Sequence, residues 1–536
     1  MKNPVRTCGK RIAVVALLAA GLLLGATPSR AIDFSAKGQW LVGFGLGDGN
    51  LIGKTGDTRT DDKDKFRAGQ RVRLQLDAAA SENLSGTVYF EIGSQTWGVA
   101  ANGGALGADG NNVVKLKQAY LDWGVPQTDL SFRMGIQGIA MPNVAGGSAI
   151  MDTDVAAVSA AYKFNDNVSL NAFWARPVND NFASDQYKNG RRNGYLDNID
   201  LFALTLPLTF DGVEATPWVM YGMMGKNALE GHAETNSPFG RYDRESTSWS
   251  TSDGPFLPYT LGNFLMGTRP GVPMGKSKAY TSMFFAGLPV KVTALDPLNI
   301  EFDVNYGYVE GFGRYDVAKR GGPGVAGGAD VRANTKRAGW LAKALVEYKL
   351  DWGVPGIFGW YASGDDGDMK NGSERMPSIV PMGNFTSFMG DGNWGWAPGG
   401  GSSEWLDLSV SYAGTWGVGL QMRDVTFVED LSHTFRVAYW GGTNSPGMTK
   451  YFNGKDGWKG TPYCGDGPYL TTNDGLLEFN LVNSYQIYEN LEVNLELGYM
   501  VNMIDTKTWD RSWMQDTTNV SRQDAWKAQL IFAYTF

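Results

Sequence analysis

Two histidines, His232 and His433, are the only side chains of a 536-residue chain with an ordinary pKa near neutrality. A serine or cysteine hydrolase would need one of them beside its nucleophile, and the chain has no GxSxG elbow. Asp365, Asp366 and Asp368 in "SGDDGD" offer the oxygen ligands of a calcium loop. The bidentate Glu of an EF-hand does not follow at its place, so a solvated loop is expected there, with no metal and no cofactor. Cys464 has one possible partner, Cys8, which lies in a leader-like segment, so no internal disulfide is expected.

The remaining chemistry-bearing residues are charged, and they alternate. Arg67, Arg71 and Arg73 fall on one parity of "FRAGQRVRLQLDAAA", with Val72, Leu74 and Leu76 on the other. Arg133 alternates with Phe132 and Met134, Glu301 and Asp303 with Ile300, Phe302 and Val304, and Arg337, Lys343 and Glu347 with Trp340 and Val346. Same-face neighbours on a strand lie ~7 Å apart, so three arginines in that spacing repel unless acids or anions face them. Such rows suit electrostatic selection of solutes better than bond-making.

An alternation of period two is a strand with one apolar and one polar face. It recurs in "DFSAKGQWLVGFGL", "DLSFRMGIQG", "LNIEFDVNYGY", "RAGWLAKALVEYKL", "LEVNLELGYMVNM" and the terminal "DAWKAQLIFAYTF". Short turns ("SEN", "GVPQT", "NDN", "FDG", "DPLN", "DWGVPG", "VEDL", "YEN") separate these strands by turns with long loops. The long loops lie near 47–65, 99–112, 178–196, 225–276, 311–335, 364–403, 441–473 and 504–523. Loop lengths sorted by side predict a transmembrane antiparallel β-barrel with short periplasmic turns and long external loops. About 18 strands are counted, with 16 as the alternative, over residues 32–536. An even count puts both termini on the short-turn side, where the last strand closes on the first and no edge is left bare. The stretch 404–427 is expected to be one bulged strand, and "NVVKLKQAYLDW" changes face midway.

Residues 1–31 have Lys2, Arg6, Lys10 and Arg11, an apolar run from Ile12 to Leu24, and small residues at Ser29 and Ala31. That pattern predicts a secretory signal peptide. The whole chain has a formal net charge of −8, and the leader holds only basic residues, so the remainder is more acidic and a poor nucleic-acid binder. An outer-membrane enzyme is the rival class. On a barrel, His232 falls in the longest external loop and His433 at a periplasmic turn, on opposite sides of an apolar band ~25 Å tall. They cannot serve one site. A plugged transporter of ~22 strands is a third class, but the alternation begins at once after residue 31.

At "MGIQGIAMPNVAGGSAIMDTDVAAVSAAYKF", "QAYLDWGVP" and the terminal "FAYTF" the chain resembles the homotrimeric outer-membrane porins of sulfate-reducing, Desulfovibrio-type bacteria. The resemblance implies a water-filled channel for passive diffusion of small hydrophilic solutes and ions, set in outer-membrane lipid and lipopolysaccharide of a Gram-negative cell. A solute-selective channel is the alternative within transport. It also implies that the loop "IAMPNVAGGSAIMDTD", between the fifth and sixth strands, folds into the barrel as a constriction. Asp152 and Asp154 would then bring negative charge toward Arg67, Arg71, Arg73 and Arg133. The lumen expected from alternation is wet, lined also by Glu301, Asp303, Arg337 and Lys343.

Overall fold

A computed structural model describes residues 32–48, 52–54, 66–98, 114–179, 187–188, 191–192, 196, 198–225, 241–243, 248–250, 279–310, 314–318, 330–334, 336–383, 385–386, 393–396, 411–451, 469–509, 520–522 and 524–536. Residues 1–31, His232 and Cys464 lie outside them.

Eighteen antiparallel strands follow one another around a closed sheet. They are β1 (Asp33–Asp48), β2 (Arg67–Ser81), β3 (Leu84–Thr96), β4 (Val114–Gly124), β5 (Leu130–Ala140) and β6 (Asp152–Lys163). Next come β7 (Ser169–Asn179), β8 (Asn198–Thr205), β9 (Trp218–Gly225), β10 (Tyr280–Val292), β11 (Leu298–Val309) and β12 (Arg337–Tyr348). The last are β13 (Val354–Ala362), β14 (Thr415–Val428), β15 (Leu431–Gly442), β16 (Gly475–Tyr488), β17 (Leu491–Asn502) and β18 (Ala525–Thr535). Pro207 and Pro217 interrupt the ladder between β8 and β9, which continues in the short pieces Leu208–Phe210 and Val213–Ala215. A proline has no N–H to give to its neighbour, so the break falls where one would be needed.

Closure takes ten cross-strand partners, from Gln39 opposite Thr535 to Asp48 opposite Trp526. The Gly38 N–H donates to the Phe536 carbonyl at 2.7 Å, and the Phe536 N–H donates back to Gly38 at 3.1 Å. The terminal aromatic is thereby docked on the first strand, and the sheet has no free edge.

The apolar parity faces out. Phe302, Val304 and Tyr306 on β11 are exposed, whereas Asp303, Asn305 and Gly307 between them are buried. Exposed aromatics gather toward both rims: Trp123, Tyr162, Tyr348 and Tyr534 at the short-turn end, Tyr221, Tyr306, Trp340 and Tyr361 toward the long-loop end. Trp340 stacks on Tyr361 at 5.1 Å, and Trp123 on Phe132 at 5.6 Å. Two aromatic girdles around an apolar band are the outer surface of a membrane barrel.

Two irregularities have local causes. In β4 the register slips between Tyr89 and Phe90, whose partners are Gln118 and Leu116. The extra residue, Lys117, resets the parity, so Val114 and Leu116 face out before it and Leu121 and Trp123 after it. In β14 the expected bulge lies between Met422 and Val425, with Asp424 at φ 58°. The strand starts at Thr415, however, not at 404: Ser411 and Tyr412 are buried outside the ladder, and 404–410 lie outside the described residues.

Candidate functional site

The loop 141–151 between β5 and β6 turns into the barrel. Ala145, Gly146 and Gly147 hold φ of 53°, 90° and 83°, a left-handed run that two glycines make cheap. Met141, Ile150 and Met151 are at most 1% exposed. The loop reaches strands six places further round the wall. The Lys343 ammonium on β12 donates to the Val144 carbonyl at 3.1 Å and to the Gly147 carbonyl at 2.5 Å. Lys343 also pairs with Asp303 at 3.1 Å, and both side chains are wholly buried. Glu301 accepts the Ala145 N–H at 2.9 Å, and the Trp218 indole donates to the Pro142 carbonyl at 3.2 Å. Charged groups that satisfy backbone stubs in a dry place are strong anchors.

A second segment, from the connection between β13 and β14, is knitted onto the first. The Ile379 N–H donates to Ile150 at 2.8 Å, the Asp152 N–H to Val380 at 2.8 Å and the Met382 N–H to Ser148 at 2.7 Å. Tyr412 donates to the Gly146 carbonyl at 2.6 Å, and a Cβ on Gly146 would fall 2.7 Å from the Phe385 ring. Arg337 is buried beneath this segment and donates to the carbonyls of Arg375 and Met376, each at 2.7 Å. Further along, Trp394 and Trp396 pack on Leu41, Ile531 and Ala533 of the inner wall. There Arg71 donates to the Gly395 carbonyl at 3.2 Å, and the Asn393 N–H donates to Glu496 at 2.7 Å.

These contacts correct the expectation of a uniformly wet lumen. Toward the long-loop end many inward residues are apolar: Met220, Met283, Phe285, Phe358, Trp360, Trp440 and Met500 are buried under the inturned segments, with Glu478 and Lys527 buried among them. Phe358 stacks on Phe385 at 4.9 Å, and Trp360 meets Trp440 edge-on at 4.3 Å. The inside of this half is a packed core. Asp303, Lys343 and Arg337 belong to that packing and present no open surface to water. Toward the short-turn end the inward groups are paired ions. Arg133 grips Asp122 at 2.7 and 3.0 Å, Arg73 meets Glu91 at 2.9 Å, Arg423 meets Glu347 at 2.5 Å, and Lys291 lies 3.8 Å from Glu301. Arg67 is half-buried on the same face of β2 as Arg71 and Arg73, opposite Gly45.

Asp152 and Asp154 are not brought to the arginines. Their partners in β5 are Ala140 and Gly138, on the parity of the exposed Ile136 and Met134. Inward on β6 are Val155, Ala157 and Ser159. Asp154 is instead held by Lys117 at 2.7 Å and by the Gln118 carboxamide at 2.6 Å. The odd and even residues of this strand are both small, so nothing in its pattern fixed the face.

The aspartates of "SGDDGD" part company. Asp365 is buried and accepts the Tyr469 hydroxyl at 2.6 Å and the Ser373 hydroxyl at 2.5 Å, so it ties loops together where a solvated residue was expected. Asp366 and Asp368 stay on the surface, and no metal-ligand cluster occurs among the described residues. Beside them Glu374 is pushed up to about 7, first by burial and then by the nearby Asp366 and Asp365. His433 lies at the short-turn end of β15, where its Nδ1 meets Asn483 Oδ1 at 2.7 Å. The tyrosine anchors Tyr412 and Tyr469, and Lys291 beside Glu301, leave no signal in the sequence pattern.

The fold and its contents define a closed 18-stranded β-barrel of the transmembrane kind, with inturned loops at one end and ion pairs lining the other. By sequence the chain matches no protein family and no curated protein. Among solved structures it is similar to Pseudomonas aeruginosa OprD, with 11% identity over 95% of this chain and 97% of that one and a TM-score of 0.46. OccK8 (OprE) of the same organism gives 10% identity, 94% and 98% coverage and 0.46. OpdK, solved with vanillate, gives 9%, 94% and 98%, and 0.44. At such scores the likeness adds nothing to the barrel read directly from the strand pairing.

Proposed function

We propose that the chain is an outer-membrane channel through which small hydrophilic solutes and ions diffuse passively. The carrying observation is the reversal of polarity across one closed wall: apolar and aromatic outside, paired ions inside toward the short-turn end. Arg at the lipid midplane costs ~2–4 kcal/mol, whereas the same residue facing water costs little, so the wall is sorted for lipid outside and water within. The reading needs no catalytic group and no cofactor. Residues 1–31 act in it as the secretory signal, and the barrel assembles as a homotrimer among outer-membrane lipid and lipopolysaccharide.

The loop 141–151 is the constriction in this account. Glu301, Asp303 and Lys343 hold it in place, Arg337 and Arg71 hold the segment that joins β13 to β14, and Arg67, Arg73 and Arg133 lie on the inward face of the wall. The apolar packing toward the long-loop end favours, as a second reading, a channel with a solute preference over a wide general pore. Swelling of liposomes containing the protein, with sugars of graded size, tests both. A smooth decline of rate with size fits the general pore, one outlying solute fits the selective channel, and no swelling contradicts both.

A further inference from the structure

A recess of about 460 Å³ opens inside the barrel under Pro142–Val144 of the inturned loop. Its size is that of a small-molecule site. The wall is a patch of inward residues on β5–β8: Gln137, Ser159, Asn171, Phe173 and Thr205. Cross-strand pairing fixes their layout. Ser159 lies opposite Phe173, and Phe173 opposite Ala203; one step toward the short turns, Asn171 lies opposite Thr205.

The side chains are held rather than loose. Gln137 donates to the Ala157 carbonyl at 3.0 Å and accepts the Ser159 hydroxyl at 2.8 Å. Asn171 donates to the Thr205 hydroxyl oxygen at 3.2 Å, which leaves the Asn171 carboxamide oxygen and the Thr205 hydroxyl proton for a solute. At the short-turn side of the recess Lys291 stands across from Glu214 and 3.8 Å from Glu301. Within the lining Lys291 and Glu214 balance, and Glu301 beyond it adds one negative charge, so no positive surplus is left for an anion. The wall therefore offers spread, neutral donors and acceptors around one aromatic face. A polyhydroxylated ring uses both, with hydroxyls on the amides and a C–H face on the ring.

We infer that this recess is a binding subsite for a neutral, sugar-like polyhydroxyl solute on its way through the barrel. The inference rests on the channel reading and gives it a substrate class. The test measures ion current through the full-length protein in a planar bilayer against rising glucose, corrected for the conductivity of the solution. A saturating fall in current is expected. Phe173→Leu keeps an apolar side chain and removes the flat face, and should weaken the block roughly three- to tenfold. Asn171→Ala should weaken it in the same direction, and the conductance of each variant reports that its barrel has formed. A glucose effect that never saturates, or one equal in wild type and both variants, overturns the subsite while the channel stands. Saturation by free lysine but not glucose, lost in the same variants, overturns the neutral class. A protein that forms no conducting channel overturns the channel reading itself.

Discussion

The two halves of the barrel interior share one wall but differ in what fills them. Toward the short turns, inward arginines are matched by acids on nearby strands, Arg133 by Asp122 on the next strand and Arg423 by Glu347 across β13, with arginine side chains that keep some exposure. Toward the long loops, the same inward parity carries Phe285, Phe358, Trp360 and Trp440, covered by two inturned segments. The comparison teaches that strand alternation specifies which face is outward, while the inward face takes its chemistry from whatever fills the barrel at that height. Ions remain where water is available to share. Where chain fills the space, rings and thioethers predominate, and the buried charges there tie down inturned backbone and side chains, as Lys343 and Asp365 do.

Lys343 sits at the boundary between the halves, so its loss should have the largest effect. Lys343→Met leaves Asp303 buried without its partner and frees the Val144 and Gly147 carbonyls. A loss of about 3–5 kcal/mol is expected, read from the shift of the unfolding midpoint in denaturant, together with a higher single-channel conductance as the loop loosens. Adding Asp303→Leu should restore much of the stability and none of the loop's anchoring. Wild-type stability in the single variant would mean that the loop is held by its apolar packing alone.

Glu374 offers a smaller perturbation confined to the covered half. Burial pushes its folded carboxyl up to about 7 from an ordinary value of 4.5, so between those values the folded state binds the extra proton. Stability of the inturned segment should therefore fall as pH rises from about 4.5 to about 7, and level off above. Hydrogen exchange of residues 363–383 should quicken across that window, and Glu374→Gln should flatten the dependence. Exchange that slows with pH after correction for the intrinsic rate would contradict the burial of this carboxyl.

The smallest effect is expected at Asp152 and Asp154. Both lie on the outward parity at the end of the wall, so replacing them together by Asn should leave the reversal potential in a salt gradient unchanged. A clear shift would return them to the pathway.

Much of this was legible in the chain. The outward faces of β1, β2, β5, β11, β12, β17 and β18 follow from alternation, and Phe536 follows from the need to close the sheet. The covered half left a different trace. "IDLFALT", "WVMYGMM", "SMFFAG" and "GIFGWYA" are apolar on both parities, because lipid covers one face and folded-in chain the other. Alternation that fades is the signal of a filled barrel, and read so it would have located the packing. The face of Asp152 and Asp154 left no trace, since "VAAVSAAY" is small on both sides and register with β5 alone decides it. The aromatic anchors Trp394 and Trp396 sit in a loop rich in glycine, where no periodicity exists to be read.

The central claim is that water meets one face of each strand and lipid the other. Neighbouring positions with nearly equal free surface test it. On β5 the Arg133 side chain is 42% exposed and Met134 36%; on β10 the Lys291 side chain is 38% exposed and Leu288 41%. Single cysteines at these four positions, with Cys8 and Cys464 replaced by serine, would be treated with a charged, membrane-impermeant thiol reagent in reconstituted vesicles. Labelling at Arg133→Cys and Lys291→Cys, with protection at Met134→Cys and Leu288→Cys, is the predicted result. Equal labelling of all four, as water on both faces would give, contradicts it.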